Sequence, residues 1–454
     1  MKHHLHLTVA VALIGAMSLA LSSRSTARAA DHGSEAVRLR VDVDRGILPA
    51  ETTERAVVKI ALDCLRLPRR DARPPVNIAL VIDRSGSMAG DKIARAREAA
   101  LEAVRRLAPD DIVALIAYDT AVQTLVPAQR VGDGRRLERA IHGLEVGGNT
   151  ALHGGVARGA VEVRRHMEDR RYTNRVILLS DGLANVGPSS PEELGRLGTS
   201  LGREGISVTT IGLGLGFNED LMTRLAQRSD GNTYFVEHSG DLSRIFAAEL
   251  GDVLNVVARR VVIEIEFPAG VRPLRFVGRE GSIRGQRAEL SLNQLYGGQE
   301  KFALVEVEVA PERAGVEIEI ARARVSYEDA LSQRQTRLSA ERKVQFSENR
   351  AAVVKSADHK VQTDYAANVI AVAKDEAIVL VDGNRREAAA AVMRERSKEL
   401  KKMADTYGNV AVGQVAAAAA PAAAKLERDG LDNSERKSFR AEAAQTMNQQ
   451  SPVR

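Results

Sequence analysis

Four short apolar runs, at 78–82, 112–117, 176–179 and 208–211, punctuate residues 76–256, and the stretches between them change to helical spacing. A run with no polar alternation belongs to a strand covered on both faces, and such strands joined through helices build an open, mostly parallel sheet. One of the intervening helices is explicit: Ile93, Ala96, Ala100, Ala103, Val104 and Leu107 recur at three- and four-residue steps and make a single apolar face. The block at 76–256 therefore reads as an α/β domain of Rossmann-like architecture.

On either side of this block the period is two. Residues 37–67 alternate, as in Val37-Arg38-Leu39-Arg40-Val41-Asp42-Val43, and a polar, Pro-containing link at 68–75 closes them off. After 258 the alternation returns in Val261-Val262-Ile263-Glu264-Ile265-Glu266-Phe267, Leu304-Val305-Glu306-Val307-Glu308-Val309 and Val316-Glu317-Ile318-Glu319-Ile320. Carboxylates on one side and branched aliphatics on the other are what a half-solvated antiparallel strand requires. Two early strands and about five later ones complete a sandwich of about seven. The expectation is a discontinuous β-sandwich, 30–75 plus 257–345, with the α/β domain inserted into it. Residues 359–406 read as a helical hairpin broken at Asp382-Gly383-Asn384, and 411–454, Ala-rich around Pro421 and then polar, as a flexible tail.

The first 29 residues have a basic, His-rich start, an apolar run at 7–21 and a small-residue end, Ala27-Arg28-Ala29, as a cleaved secretory leader does. Export to a periplasm or the medium follows from that reading. The leader holds Lys2, Arg24 and Arg28 and no acid; beyond it 62 basic residues face 60 acidic ones, so the formal charge of +5 does not indicate a nucleic acid or anionic membrane as partner. With 8 Phe, 7 Tyr and no Trp, the chain also has few rings on which bases could stack. No later apolar run reaches the length of a transmembrane helix. Cys64 is the single cysteine, placed in an alternating stretch, and reads as a small buried hydrophobe.

The chemistry concentrates in Asp83-Arg84-Ser85-Gly86-Ser87-Met88, directly after the first buried strand and before a helix. In open α/β sheets ligands bind outside the carboxyl ends of the strands, which is where this loop falls. One carboxylate and two hydroxyls at alternate positions can converge on one hard cation, and oxygen-only ligation suits Mg²⁺, Mn²⁺ or Ca²⁺ rather than zinc or copper. Gly147-Gly148-Asn149-Thr150 opens another helix and Ser180-Asp181-Gly182 ends another strand, so Thr150 and Asp181 come to the same sheet edge. The Gly212-Leu213-Gly214-Leu215-Gly216 stretch lacks the spacing of a dinucleotide-binding loop.

Together these residues resemble the metal-ion-dependent adhesion site of von Willebrand factor type A domains, such as those of integrin inserted domains and inter-alpha-trypsin inhibitor heavy chains. The resemblance covers about 76–256 and fills five positions: Asp83, Ser85, Ser87, Thr150 and Asp181. It implies one divalent cation, Mg²⁺ first with Mn²⁺ or Ca²⁺ as alternatives, held by the hydroxyls directly and by the carboxylates directly or through water. It further implies a protein partner whose exposed Asp or Glu completes the shell, with Arg84, Met88 and Asn149 as candidate contacts. The function implied is an exported, metal-dependent protein-binding module for adhesion or assembly, not an enzyme. The alternative is a metal-dependent hydrolase or self-processing protein similar to the calcium-activated chloride channel regulators, which carry the same domain. No His-Glu-x-x-His or Walker-type loop occurs, and His142, His153, His166 and His238 are scattered.

Overall fold

The computed structural model describes residues 36–66 and 73–452; the leader read at 1–29 and most of the link at 68–75 lie outside the described residues. The chain opens with β1 (Val37–Val43), β2 (Ile47–Pro49) and β3 (Glu54–Cys64). The inserted block follows as β4 (Val76–Asp83), α1 (Asp91–Arg105), β5 (Ile112–Tyr118), β6 (Val122–Arg130), α2 (Arg135–His142) and α3 (Leu152–Arg164). It continues through β7 (Thr173–Ser180), α4 (Pro191–Glu204), β8 (Ser207–Leu213), α5 (Glu219–Arg228), β9 (Thr233–Val236) and α6 (Leu242–Val253). Its six strands lie in the order β6-β5-β4-β7-β8-β9, parallel except for the edge strand β6. Every residue of β4, β5 and β8 is buried, because helices cover both faces of the sheet.

The antiparallel part resumes with β10 (Val256–Glu266), β11 (Val271–Val277), β12 (Ser282–Arg284), β13 (Arg287–Tyr296), β14 (Gln299–Val309), β15 (Glu317–Asp329) and β16 (Gln335–Ser347). One sheet runs β1-β3-β14-β11 and the other β12-β13-β10-β15-β16-β2. The pairing of β3 with β14 extends from Glu54 opposite Val309 to Asp63 opposite Glu300. Val41, Val58 and Ile60 from one sheet meet Val261, Ile263, Ile265 and Val325 from the other in a common core. With a short strand β17 (Gln450–Pro452) added beside β14, the sandwich has five and six strands, eleven rather than about seven. Three of the additional strands, β2, β12 and β17, have three residues each, too short to show a period.

The last unit consists of α7 (Arg350–Lys355), α8 (His359–Asp382), α9 (Arg386–Tyr407), α10 (Val410–Arg428) and α11 (Asn433–Met447). This corrects the flexible-tail reading of 411–454. Alanine is the best helix former and needs little room, so a run that looks featureless as sequence makes a close-packed helix: Ala416, Ala419 and Ala423 of α10 are buried. Asn409 caps α10 by accepting the Val412 N–H, and Asp432 and Glu435 form a capping box at α11. These helices cover the outer face of the β3–β14 sheet, where Val57, Ala61, Phe302 and Leu304 join Val361, Val369 and Ile370. Cys64 is buried within β3, and burial pushes its thiol up to about 12.

Candidate metal centre

Asp83 ends β4 with its carboxylate out of contact with solvent. Its Oδ1 accepts the Ser85 N–H at 2.8 Å and its Oδ2 accepts the Ser180 hydroxyl at 2.7 Å, so the carboxylate itself folds the following loop back onto the strand. Burial pushes the Asp83 carboxyl above its ordinary range, opposed by these hydrogen bonds. A single 3₁₀ turn, Gly86–Met88, then brings the hydroxyls of Ser85 and Ser87 within 3.2 Å of each other. Ser87 donates to Asp181 Oδ1 at 2.7 Å, which ties this loop to the end of β7.

Thr150 is delivered by a loop locked to its neighbours through the backbone. Gly147 N–H donates to the Arg84 carbonyl at 2.8 Å and Gly86 N–H to the Gly148 carbonyl at 3.1 Å. Thr120 Oγ1 accepts the Asn149 N–H at 2.8 Å, and Asn185 Oδ1 accepts the Thr150 N–H at 2.8 Å. Gly148 has φ +72° and an added Cβ would stand 2.7 Å from Thr120 Oγ1, so conformation and space both demand glycine there.

The convergence of donors is tested at Gly182. A Cβ placed on it would lie 3.0 Å from Thr150 Oγ1, 3.3 Å from Ser87 Oγ and 3.7 Å from Ser85 Oγ. Three hydroxyls from two loops thus face one side of this glycine, with the Asp181 carboxylate adjoining. The set is entirely hard oxygen, and the residues present fit a divalent Mg²⁺-like ion. Among the described residues no three His, Cys, Asp or Glu side chains gather as a cage of another kind.

The structure brings Asp83, Ser85, Ser87, Thr150 and Asp181 together, and it corrects the expected rim. Met88 is wholly buried and packs in the core with Ile82 and Ile93, so it is no partner contact. Arg84 is half-buried and its Nε lies 2.9 Å from Asp119 Oδ2. Asn149 is exposed. Sequence reasoning missed Lys92, whose Nζ donates to Asp181 Oδ2 at 2.5 Å, and the positioning residues Ser180, Thr120 and Asn185. Ser180 adjoins a named ligand and was open to notice; the other three lie on separate segments without a spacing rule. The stretch Gly198-Thr199-Ser200-Leu201-Gly202 has the Gly-x-Ser-x-Gly spacing of a hydrolase elbow. It lies inside α4 rather than on a strand-to-helix turn, and Ser200 donates to Glu204 of the same helix at 3.4 Å.

Residues 77–248 match the profile of the von Willebrand factor type A domain. The uncharacterized protein sll0103 of Synechocystis sp. is 26% identical over 309 residues, which cover 65% of this chain and 72% of that protein. Inter-alpha-trypsin inhibitor heavy chain H3 of Mesocricetus auratus is 27% identical over 234 residues, 48% of this chain but only 26% of the heavy chain. A solved structure described as von Willebrand factor type A from Catenulispora acidiphila superposes with a TM-score of 0.62 at 17% identity, covering 82% of this chain and 90% of its own. The inserted block is a von Willebrand factor type A domain, a parallel sheet flanked by helices, set within additional antiparallel sheets and C-terminal helices.

Proposed function

We propose that this chain is an exported, non-enzymatic binding module. In this reading Asp83, Ser85, Ser87, Thr150 and Asp181 hold one divalent cation, Mg²⁺ or a close substitute, at the edge of the type A domain. The observation that carries the reading is a charge count at that edge. Two carboxylates, Asp83 and Asp181, face three neutral hydroxyls, and Lys92 already neutralises one oxygen of Asp181. A bound divalent ion supplies a Lewis-acidic point that these groups leave under-neutralised, so a carboxylate from a partner gains charge-assisted coordination there.

The rim suits a protein rather than a small acid. Val146, Leu183 and Leu215 are 40%, 58% and 44% exposed and lie on the three loops that border the oxygens. Gly216, next to Leu215, lies against the Asp181 carbonyl, which an added Cβ would approach to 2.7 Å. Apolar side chains held in water beside a charged point are the usual composition of a protein-binding surface. Export is proposed from the leader at 1–29; among the described residues no helix is long and apolar enough to cross a membrane.

The test is binding of immobilised full-length protein to an array of peptides that vary an acidic residue and its apolar neighbours, with Mg²⁺ and with EDTA. Retention of acidic peptides with Mg²⁺ alone, lost in Thr150→Val, is the expected result. Retention that survives EDTA, or that ignores the acidic position, would falsify the proposed function.

A further inference from the structure

At the opposite edge of the type A domain, α4, α5, β10, β13 and α11 enclose a cavity of about 640 Å³ that the metal site does not use. Its polar wall is dominated by guanidinium groups: Arg203 on α4, Arg224 and Arg228 on α5, Arg260 on β10 and Arg279 after β11. Val262 of β10 and the polar Ser291 and Asn293 of β13 form its floor, while the side chains of Leu290 and Leu292 turn away into the sandwich core. The volume falls in the range of about 300–1,000 Å³ typical of small-ligand pockets.

Four acids also line the cavity, and each is already engaged. Glu204 accepts from Arg164 at 2.6 Å, and Asp375 pairs with Arg440, both arginines lying outside the cavity. Asp230 holds Arg279 at 3.2 Å, and Glu280 holds Arg228. Arg203 and Arg224 are left with no acidic partner among the described residues. Arg260 carries a second signal. It sits at φ +52°, a left-handed conformation unusual for a non-glycine residue, where the register of β10 against β15 shifts between Arg259 and Val262. That bulge sends Arg259 inward to the Tyr172 carbonyl at 2.8 Å and Glu328 at 2.9 Å, while Arg260 lines the cavity and shares Glu328 at 2.5 Å. Bulges re-aim side chains at a cost in backbone strain, which persists where the aimed residue has a use.

We propose that this cavity binds a phosphorylated small molecule, its phosphoryl group on Arg203 and Arg224 and its organic part over Val262 and Ser291. Two unpaired guanidinium forks match the charge of a phosphate dianion and can each donate two parallel hydrogen bonds to its oxygens. The mixed floor of Val262, Ser291 and Asn293 gives a polar organic remainder a place that inorganic phosphate would leave empty.

Inorganic pyrophosphate and glucose 6-phosphate, titrated calorimetrically into the full-length protein in EDTA, test this without involving the metal site. Both are expected to bind, with Arg203→Ala and Arg224→Ala each weakening binding about tenfold, the loss of one charge-assisted contact. Both arginines are exposed and unpaired, so the variants should keep the wild-type melting temperature, and Arg313→Ala on a distant turn should bind as wild type. Asp181→Asn should also bind normally, which separates this site from the proposed function. No heat at millimolar pyrophosphate and glucose 6-phosphate, equal binding by both arginine variants, or preference for a tetra-aspartate peptide over both phosphates would each overturn the proposal.

Discussion

Arg175 on β7 and Glu249 on α6 form an ion pair at 2.9 Å in which neither side chain reaches solvent. The guanidinium also donates to Thr209 at 2.8 Å and to Gln294 of the sandwich at 2.7 Å, while Glu249 accepts from Asn232 at 2.8 Å and Tyr234 at 3.1 Å. The last helix of the type A domain is therefore bonded through one arginine to both its own sheet and the antiparallel domain. A buried pair so heavily hydrogen-bonded, with only Arg175 Nε left without a partner, is costly to break from one side, because the surviving charge has no solvent to turn to.

Glu249→Ala should accordingly destabilise the whole chain by about 3–5 kcal/mol, the range for removal of one member of a buried pair. Urea unfolding followed by circular dichroism measures it. The same pinning predicts that hydrogen exchange of residues 242–253 does not change on addition of Mg²⁺, even where Leu242, Ile245, Phe246 and Leu250 would allow an apolar face to repack. Faster exchange there with metal would show that the pair does not hold the helix.

Acid should weaken the seam between sandwich and helices. Lys59 Nζ lies 2.7 Å and Lys360 Nζ 3.1 Å from the Glu300 carboxylate, and Asp364 of α8 shares both lysines. Burial alone would raise the Glu300 carboxyl; the two ammonium groups overcome it and hold it at about 2. Between its ordinary value of 4.5 and about 2 the unfolded chain binds the proton first, so the contribution of Glu300 is complete above that window and lost as pH falls through it. Glu300→Gln should lower stability near neutrality and flatten this part of the acid slope, read from urea midpoints across the window.

The parts legible in the sequence were those with a short repeat or a fixed local spacing. Continuous apolar runs announced β4, β5, β7 and β8 because both faces are covered, and Asp83, Ser85 and Ser87 sit on one turn where spacing alone joins them. Thr150 and Asp181 could be placed at the same sheet edge from the helix one opens and the strand the other ends, and the family resemblance joined them to that turn as ligands. Three kinds of feature were not legible. Met88 sits among candidate ligands but points into the core, and a tight turn alternates direction without an apolar period to show it. The Ala-rich segment gave no amphipathic stripe, although its small side chains are what let α10 approach α9. Arg175 and Glu249 are charges far apart in sequence, and nothing local distinguishes them from solvated ones.

The last helix should matter at the metal edge. Lys437 of α11 is buried, donates to the Phe217 carbonyl and to Glu219 at 2.5 Å each, and lies 4.4 Å from the Phe217 ring centroid. Asn433 of the same helix donates to the Leu215 carbonyl at 3.0 Å. The loop held in this way includes Gly216, which abuts the Asp181 backbone. Lys437→Met should leave the nearly buried Glu219 with Arg436 alone and cost about 2–3 kcal/mol, the penalty for a charged partner lost from a buried bond. Hydrogen exchange at 214–220 should rise while that of β4 stays low; equal protection in both proteins would assign the loop's order to the type A domain itself.

Lys92 sets a ceiling on how tightly the site can hold a cation. Its Nζ is 2.5 Å from Asp181 Oδ2, the carboxylate whose other oxygen accepts the Ser87 hydroxyl, so one ligand is already half neutralised by the protein. The lysine side chain is 34% exposed, so water and salt screen its repulsion of a nearby cation and reduce it to about 1 kcal/mol. Lys92→Met, which keeps the aliphatic stem and removes the charge, should therefore raise Mg²⁺ affinity roughly fivefold, and the gain should shrink as ionic strength rises. Asp83→Asn and Asp181→Asn should abolish binding in the same calorimetric titration while circular dichroism stays that of the wild type, since the isosteric amide keeps the size of each buried carboxylate and removes only its charge. The sign of the Lys92→Met effect separates two roles. If the ammonium chiefly competes with the cation, affinity rises and becomes more salt-dependent, because the site is left more anionic. A drop in affinity at every ionic strength would mean that Lys92 acts by steering Asp181 Oδ1 toward the hydroxyls, and the competition argument would fail.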